Sequence, residues 1–114
     1  MSKRDHLGEF EQLALLAILR LGDDAYGARI QEELDVAAGR EVSVSTIYIT
    51  LTRLEGKGLV SSRRGEPTQV RGGKARRYFN VERPGLVSLY HARVQLVNMW
   101  SGVEEALDAV AHEG

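Results

Sequence analysis

The 114-residue chain has no cysteine, no long apolar run and almost no net charge. The absence of cysteine excludes disulfides, iron–sulfur clusters, cysteine zinc sites and thiol catalysis. No apolar run approaches the ~20 residues that a membrane span needs, and no charged-then-apolar leader opens the sequence. Hydrophobic residues make up 43% and charged residues 27% of the chain, which excludes a disordered or collagen-like protein. We therefore expect one soluble, cytoplasmic domain that does not enter a membrane.

Motifs of catalysis and of metal binding are also missing. The GGKA at residues 72–75 is not a P-loop, because Thr68 stands at the first Gly position and Ala75 replaces the Mg²⁺-binding hydroxyl residue. The three histidines lack the spacing of metal ligands: His6, His91 and His112. We therefore predict that the protein is not an enzyme and has no catalytic residue, metal site or cofactor.

The net charge of −1 conceals a basic middle between two acidic ends. Residues 1–42 carry five basic and nine acidic side chains, whereas residues 61–82 carry six basic and two acidic ones. Residues 83–114 are acidic again. A local cationic patch is what nucleic-acid binding requires, so the basic segment is a candidate for contact with a polyanion.

The first predicted helix, residues 9–21, is apolar on every side between Leu13 and Leu19. A surface helix of a small domain normally has one apolar stripe and one polar face. The second apolar side must therefore be buried against another surface, and the simplest such surface is another subunit. We assign Leu13 and Leu16 to a predicted dimer interface.

A second helix is predicted over residues 25–38, with Asp23 or Asp24 as its N-cap and Gly39 as its C-terminal stop. Its apolar stripe recurs at spacings of four, four and three: Tyr26, Ile30, Leu34 and Ala37.

A third helix is predicted from a cap at Ser43 or Ser45 to about Lys57. Its core positions are Val44, Ile47, Leu51 and Leu54. At about 100° per residue, the opposite face carries Ser45, Thr46, Ile49 and Arg53, with Tyr48 and Thr52 at its flanks. This outer face is small and hydroxylated and carries one Arg, so it can approach another surface closely.

Two predicted strands near residues 59–64 and 76–81 enclose a Gly-rich loop over residues 65–75. Six basic residues lie on this hairpin: Arg63, Arg64, Arg71, Lys74, Arg76 and Arg77. The same stretch, residues 63–77, contains one acidic residue, Glu66. Such an excess is unusual for a solvated surface and favours contact with phosphates.

Pro84 opens the last predicted helix, which runs to about Ala111 with Gly102 as its only interruption. Two heptad seams follow it: Leu89, Leu96, Val103 and Val110 on one, and Leu86, Arg93, Trp100 and Leu107 on the other. A 3.5-residue repeat of this length requires a partner helix. We therefore predict a homodimer in which this helix packs on the apolar first helix. Arg93 either pairs with an acid of the other subunit or extends into solvent.

Three helices, the third leading directly into a basic hairpin, form the pattern of a winged helix-turn-helix. We predict a mainly α fold with a small β-hairpin: a winged-helix domain over residues 8–83 and a dimerisation helix over residues 84–111, in one compact unit. The major groove is about wide enough for the third helix. Its predicted DNA contacts are Ser43, Ser45, Thr46, Tyr48, Ile49 and Arg53, and the basic hairpin residues are predicted to contact phosphates.

Three stretches resemble the PadR family of transcriptional regulators: AYG at 25–27, VSVSTIYITLTRLEGKGLVSSRRG at 42–65 and GGKARRYFNV at 72–81. Ser45 and Ile49 depart from the Gly and Pro that are common in the family, so base contacts near these two positions are the least transferable. The resemblance implies a homodimer in which the C-terminal helix packs on the partner's first helix, as in the short-tailed subfamily. It also implies a regulator of transcription, most simply a repressor.

Trp100, the only Trp, leaves two interpretations open. It is either a large apolar anchor in the dimer interface or half of a paired Trp site for a planar aromatic or cationic ligand, with Glu104 as a cation partner. The resemblance to short-tailed family members that sense drugs supports the second. Two alternatives to a DNA-binding regulator also remain: a winged-helix assembly domain that binds proteins only, and a ligand-binding dimer with a vestigial DNA role.

Overall fold

Five α-helices and a two-stranded hairpin make up the computed structural model, which describes residues 6–66 and 75–113. In chain order the elements are α1 (Glu9–Leu21), α2 (Gly27–Ala38), α3 (Val44–Gly56), β1 (Val60–Arg64), β2 (Arg77–Val81), α4 (Arg83–Trp100) and α5 (Glu104–Ala111). A 3₁₀ turn, Gly22–Asp24, joins α1 to α2. Helices α1–α3 and the inner end of the hairpin enclose one hydrophobic core. Across the described ranges, we find no helix with the length and hydropathy needed to span a bilayer.

The core explains why α1 and α3 begin and end where the apolar spacing predicts. The side chains of α1 and α3 that the core buries most completely are Ala14, Leu15, Ile47, Leu51 and Leu54. On its other side α1 leaves Leu16 44% exposed, so the helix does keep the uncovered apolar side that its sequence predicts. Leu13, expected on that side, is half-buried against the core instead.

The start of α2 differs from the prediction. Asp23 and Asp24 do not cap the helix: they lie in the 3₁₀ turn, and the N-cap is Tyr26 without a side-chain cap. Tyr26 has extended backbone and forms an isolated β-bridge with Tyr78. Pairing with the hairpin therefore replaces capping at this point of the chain, and α2 begins at Gly27, two residues later than predicted.

The apolar stripe of α2 is shorter than predicted. Ile30 and Leu34 are buried, whereas Ala37 is exposed because it lies in the last turn, beyond the core. Gly39 ends the helix as predicted, and its amide donates to the Asp35 carbonyl oxygen at 3.0 Å.

The hairpin is joined to the helices at its inner end. β1 and β2 pair antiparallel, from Val60 opposite Val81 to Arg64 opposite Arg77, within one residue of the predicted strands. Phe79 is buried, and its amide donates to the Ala25 carbonyl oxygen at 2.8 Å. The hairpin therefore extends outward from a base that is part of the core.

The predicted continuous C-terminal helix is wrong. The chain forms α4 and α5, separated at residues 101–103, where Gly102 has φ +90°. That conformation strongly favours glycine, and the Gly102 amide donates to Glu104 Oε1 at 2.8 Å, at the start of α5. The two heptad seams therefore do not lie on one straight helix, although their apolar residues are exposed except for half-buried Leu89.

Candidate nucleic-acid interface

The N-terminal turn and outer face of α3 lie on the surface. Ser43 is the N-cap: its Oγ accepts from the Thr46 amide at 3.0 Å and donates to Thr46 Oγ1 at 2.9 Å. Ser45 and Thr46 are exposed, and Ile49 is 65% exposed. The face opposite the core therefore carries the small side chains that the 3.6-residue period predicts there.

Tyr48 joins α3 to α2 and to the hairpin. Its ring is half-buried, with its centroid 5.9 Å from that of Phe79. Gly27 stands beside its hydroxyl: a Cβ at Gly27 would lie 2.9 Å from the Tyr48 oxygen. Tyr48 is thus half-buried, as its position at the edge of the outer face predicts, with its hydroxyl at the start of α2.

Arg53, on the outer face, is paired with Glu11 of α1. Arg53 Nε and Nη2 both lie 3.3 Å from Glu11 Oε2, and Lys57 Nζ lies 4.0 Å from the same oxygen. Glu11 is only 9% exposed, and its other oxygen accepts from the Gly8 amide at 2.7 Å. Sequence reasoning missed Glu11; its signal was an acid three residues after Gly8, at the helix start. The pair holds the Arg53 guanidinium towards α1.

The described basic residues of the hairpin divide between its two faces, because neighbouring residues of a strand point to opposite sides. On one face the Arg63 guanidinium lies 4.6 Å from the Tyr78 ring centroid. The Arg76 guanidinium lies 4.2 Å from the Tyr26 ring centroid, and the two tyrosine rings meet edge to face at 5.5 Å. This arrangement, which we call the Tyr–Arg stack (Tyr26, Arg63, Arg76 and Tyr78), holds two cations by cation–π contact.

The cations of the Tyr–Arg stack lack ion-pair partners within the described residues. The neighbouring Tyr78 side chain raises the pKa of Arg76 above its ordinary value and so favours the charged guanidinium. Exposed Arg64, on the opposite face, also has no ion pair among these residues. Guanidiniums that are oriented but not neutralised are suited to contact phosphates.

Arg77, on the face opposite the Tyr–Arg stack, is paired within the protein. Its Nη2 lies 2.5 Å from Glu55 Oε1, and its Nε donates to Ser62 Oγ at 3.0 Å. The predicted contacts Arg71 and Lys74 lie outside the described residues. No cluster of three or more metal-ligating side chains occurs in the ranges that the structure covers.

The fold is that of solved transcriptional regulators. A regulator from Clostridium thermocellum has a TM-score of 0.66 at 20% identity, over 83% of this chain and 89% of that one. A PadR family regulator from Eggerthella lenta has a TM-score of 0.60 at 26% identity, over 84% of each chain. Bacillus subtilis PadR, solved with operator DNA, has a TM-score of 0.62 at 19% identity, over 75% of this chain and 49% of that one.

Comparison with curated protein sequences gives no match. The family model described as the transcriptional regulator PadR-like family matches residues 15–90, from α1 into α4. This range includes the capped α3, the hairpin base and the residues of the Tyr–Arg stack. The resemblance seen in the sequence is thereby confirmed, and the chain belongs to the PadR-like family, whose members are transcriptional regulators and not enzymes.

Proposed function

We propose that this protein is a homodimeric regulator that binds double-stranded DNA at a specific sequence and represses transcription there. The observation that carries the proposal is the exposed outer face of α3. The chain continues from this helix into a hairpin whose arginines Arg63, Arg64 and Arg76 have no ion pair within the described residues. In the known relative from Bacillus subtilis, the solved complex contains operator DNA.

The outer face of α3 fits the major groove by size and chemistry. Ser45 and Thr46 are short and carry hydroxyls, and Ile49 offers an apolar surface for a thymine methyl group. The N-terminus of α3 also attracts a phosphate through its first-turn amides other than that of Thr46, which Ser43 caps. Ser43 and Tyr48 are proposed to contact the backbone from the two ends of this surface. Arg53 contacts DNA only if its ion pair with Glu11 breaks and a DNA group takes the place of the carboxylate.

The hairpin supplies the electrostatic part of binding. Arg63, Arg64 and Arg76 are exposed and have no ion pair within the described residues. Each can therefore contact a phosphate without first breaking an ion pair with a carboxylate. Each such contact releases condensed counterions and makes binding depend on salt. Arg71 and Lys74 remain predicted contacts from the sequence alone.

The surplus apolar surface supports the homodimer. Every residue from 93 to 113 is exposed in the protomer. The large apolar side chains in this stretch are Val94, Leu96, Val97, Met99, Trp100, Val103, Leu107 and Val110. An apolar patch of this extent marks an interaction site, and Leu16 adds a second patch on α1. The predicted interface residues Leu86 and Leu89 lie nearer the domain, exposed and half-buried respectively. A symmetric dimer would cover these surfaces and match a two-fold symmetric operator.

Repression follows from the size of this complex. A dimer that occupies two successive major grooves covers its operator and excludes other proteins from the same stretch of DNA. We propose that this happens in the cytoplasm, together with the DNA that the protein regulates.

A ligand at Trp100 is the finer part of the proposal. Trp100 is 48% exposed at the end of α4, and Glu104 begins α5 four residues later. A planar cation could stack on Trp100 and pair with Glu104, and it would change DNA affinity only if it favours one dimer geometry. We expect planar aromatic cations to quench the fluorescence of the single Trp in a saturable way. No quenching across a varied panel contradicts the ligand and leaves Trp100 as an interface anchor.

Selection from a randomised duplex pool at two salt concentrations tests the proposed function. We expect the protein to enrich a two-fold symmetric site and to lose affinity steeply at the higher salt concentration. If a folded, dimeric preparation retains no DNA at low salt, the proposal is wrong. The protein–protein assembly domain then becomes the leading explanation of the fold.

A further inference from the structure

The outer half of the hairpin is attached to the rest of the protein on both of its faces. On one face, Tyr78 packs on Tyr26 at the start of α2. On the other, Arg77 and Ser62 contact Glu55 in the last turn of α3. Since Arg77 and Tyr78 are neighbours on β2, the strand is held from opposite sides at one level.

From this geometry we infer that Arg77 is a positioning residue. Together with Glu55 and Ser62 it forms a clamp that fixes the angle between the hairpin and α3. That angle sets where Arg63, Arg64 and Arg76 lie when α3 is in the groove. The inference rests on the proposed function, and it assigns Arg77 a role other than the predicted phosphate contact.

The contacts of the clamp form a closed network. Glu55 Oε1 accepts from Arg77 Nη2 at 2.5 Å, and Ser62 Oγ donates to Glu55 Oε2 at 3.0 Å. Arg77 Nε donates to Ser62 Oγ at 3.0 Å, which closes the triangle. The Arg77 guanidinium also lies 5.0 Å from the ring centroid of Phe79, in the core. Both strands of the hairpin are thus tied to α3 through side chains on one face.

The clamp matters because the other attachments hold either the inner end of the hairpin or its Tyr78 face. The buried side chains of the strands, Val60, Phe79 and Val81, all lie at that end. Without the clamp, the outer half would be attached only on its Tyr78 face and could tilt away from α3. The side chains of Arg77 and Glu55 are 42% and 32% exposed, so the pair adds little to global stability. Its effect is on orientation.

The same contacts distinguish the role of Arg77 from that of the arginines proposed to bind phosphate. A phosphate at Arg77 would have to displace the Glu55 carboxylate or lie beside its negative charge. Arg76, by contrast, has no carboxylate within ion-pair distance in the described residues. The two adjacent arginines therefore have different roles.

A double-mutant cycle on DNA affinity distinguishes a clamp from a phosphate contact. Glu55→Gln removes a negative charge near the DNA and would tighten binding if it acted through charge alone. We expect it to weaken binding to the selected duplex about tenfold, as expected for residues in one network. Arg77→Gln should have a similar effect, the double variant should bind no more weakly than either single variant, and the salt dependence should stay unchanged.

Hydrogen exchange without DNA tests the clamp independently of the proposed function. In both single variants, amides of residues 60–66 and 75–81 should exchange faster than in the wild type, including the Gly65 amide that donates to Arg76, while the midpoint of thermal unfolding changes little. Glu33→Gln is the matched control, because Glu33 pairs with Arg20 at the same 2.5 Å between α1 and α2. It should alter neither DNA affinity nor hairpin exchange.

Two results overturn the inference. One is unchanged hairpin exchange in Glu55→Gln. The other is a salt dependence that falls in Arg77→Gln by about 0.9 per protomer, the value for one lost phosphate contact, with binding by Glu55→Gln equal to or tighter than wild type. If the wild type binds no duplex, the proposed function fails, and the exchange measurement alone decides whether the clamp exists.

Discussion

Replacing Arg63 and Arg76 together by Gln should weaken binding to the selected duplex on the order of a thousandfold at 0.1 M salt. Both guanidiniums stack on tyrosine rings and lack ion pairs within the described residues, so the folded protein has already oriented them for phosphates. Each lost contact lowers the slope of log affinity against log salt by about 0.9. A dimer loses four contacts, so the slope should fall by about 3.6. Binding isotherms at four or more salt concentrations measure both quantities.

The matched control is Arg20→Gln with Arg40→Gln. These side chains carry the same charge but are neutralised, Arg20 by Glu33 and Arg40 by Glu9 at 2.7 Å. Net charge falls equally in both double variants, so a general electrostatic effect would weaken them alike. Equal losses in the two variants, or an unchanged slope in Arg63→Gln/Arg76→Gln, would show that Arg63 and Arg76 do not bind phosphate.

Patterns in the sequence were sufficient for the elements that local chemistry determines. A serine cap at residue 43 or 45 and the apolar spacing of α3 predict its start and its outer face, because capping and the 3.6-residue period act within a few residues. The structure places the cap at Ser43. The same reasoning predicts α1 and, to within a residue, both strands. The family resemblance depends on this same segment, from α3 through the hairpin.

Long-range contacts account for what the sequence did not predict. Asp23 and Asp24 are good N-cap residues, but the bridge between Tyr26 and Tyr78 joins positions 52 apart and moves the start of α2. Glu11 and Arg53 pair across 42 positions, and Glu55 and Arg77 across 22. No local pattern indicates which acid a given Arg will contact, so all six basic hairpin residues were assigned to DNA alike.

The break between α4 and α5 has a different origin. A heptad pattern predicts which side chains share a face, but it tolerates one Gly without showing whether the helix continues. Here Gly102 adopts positive φ, and its amide donates to the side chain of Glu104, the first residue of the next segment. Apart from half-buried Leu89, the apolar residues of both seams are exposed. A covering partner therefore stays a prediction, although the predicted single helix is wrong.

Substitution of Leu96 by Glu should raise the dissociation constant of the homodimer at least a hundredfold. Leu96 is 49% exposed in the protomer, so the change does not disturb the core. If the dimer covers Leu96, each subunit loses about 1 kcal/mol of apolar burial and must also bury a carboxylate, and both terms count twice in a symmetric interface. Two kcal/mol from burial alone correspond to about thirtyfold, and desolvation of the charge adds the rest. Sedimentation equilibrium measures the constant directly.

Val36→Glu provides the control for this experiment, because Val36 is 79% exposed and lies on α2, which is neither of the two predicted interface helices. It makes the same chemical change on a surface that the proposed dimer leaves open, and it should leave the dimer intact. Leu16→Glu should behave like Leu96→Glu, since the proposed dimer also covers α1. A Leu96→Glu protein as dimeric as Val36→Glu would remove α4 from the interface. DNA affinity should fall in parallel with dissociation, because a monomer contacts one half-site and loses the effective concentration that links the two.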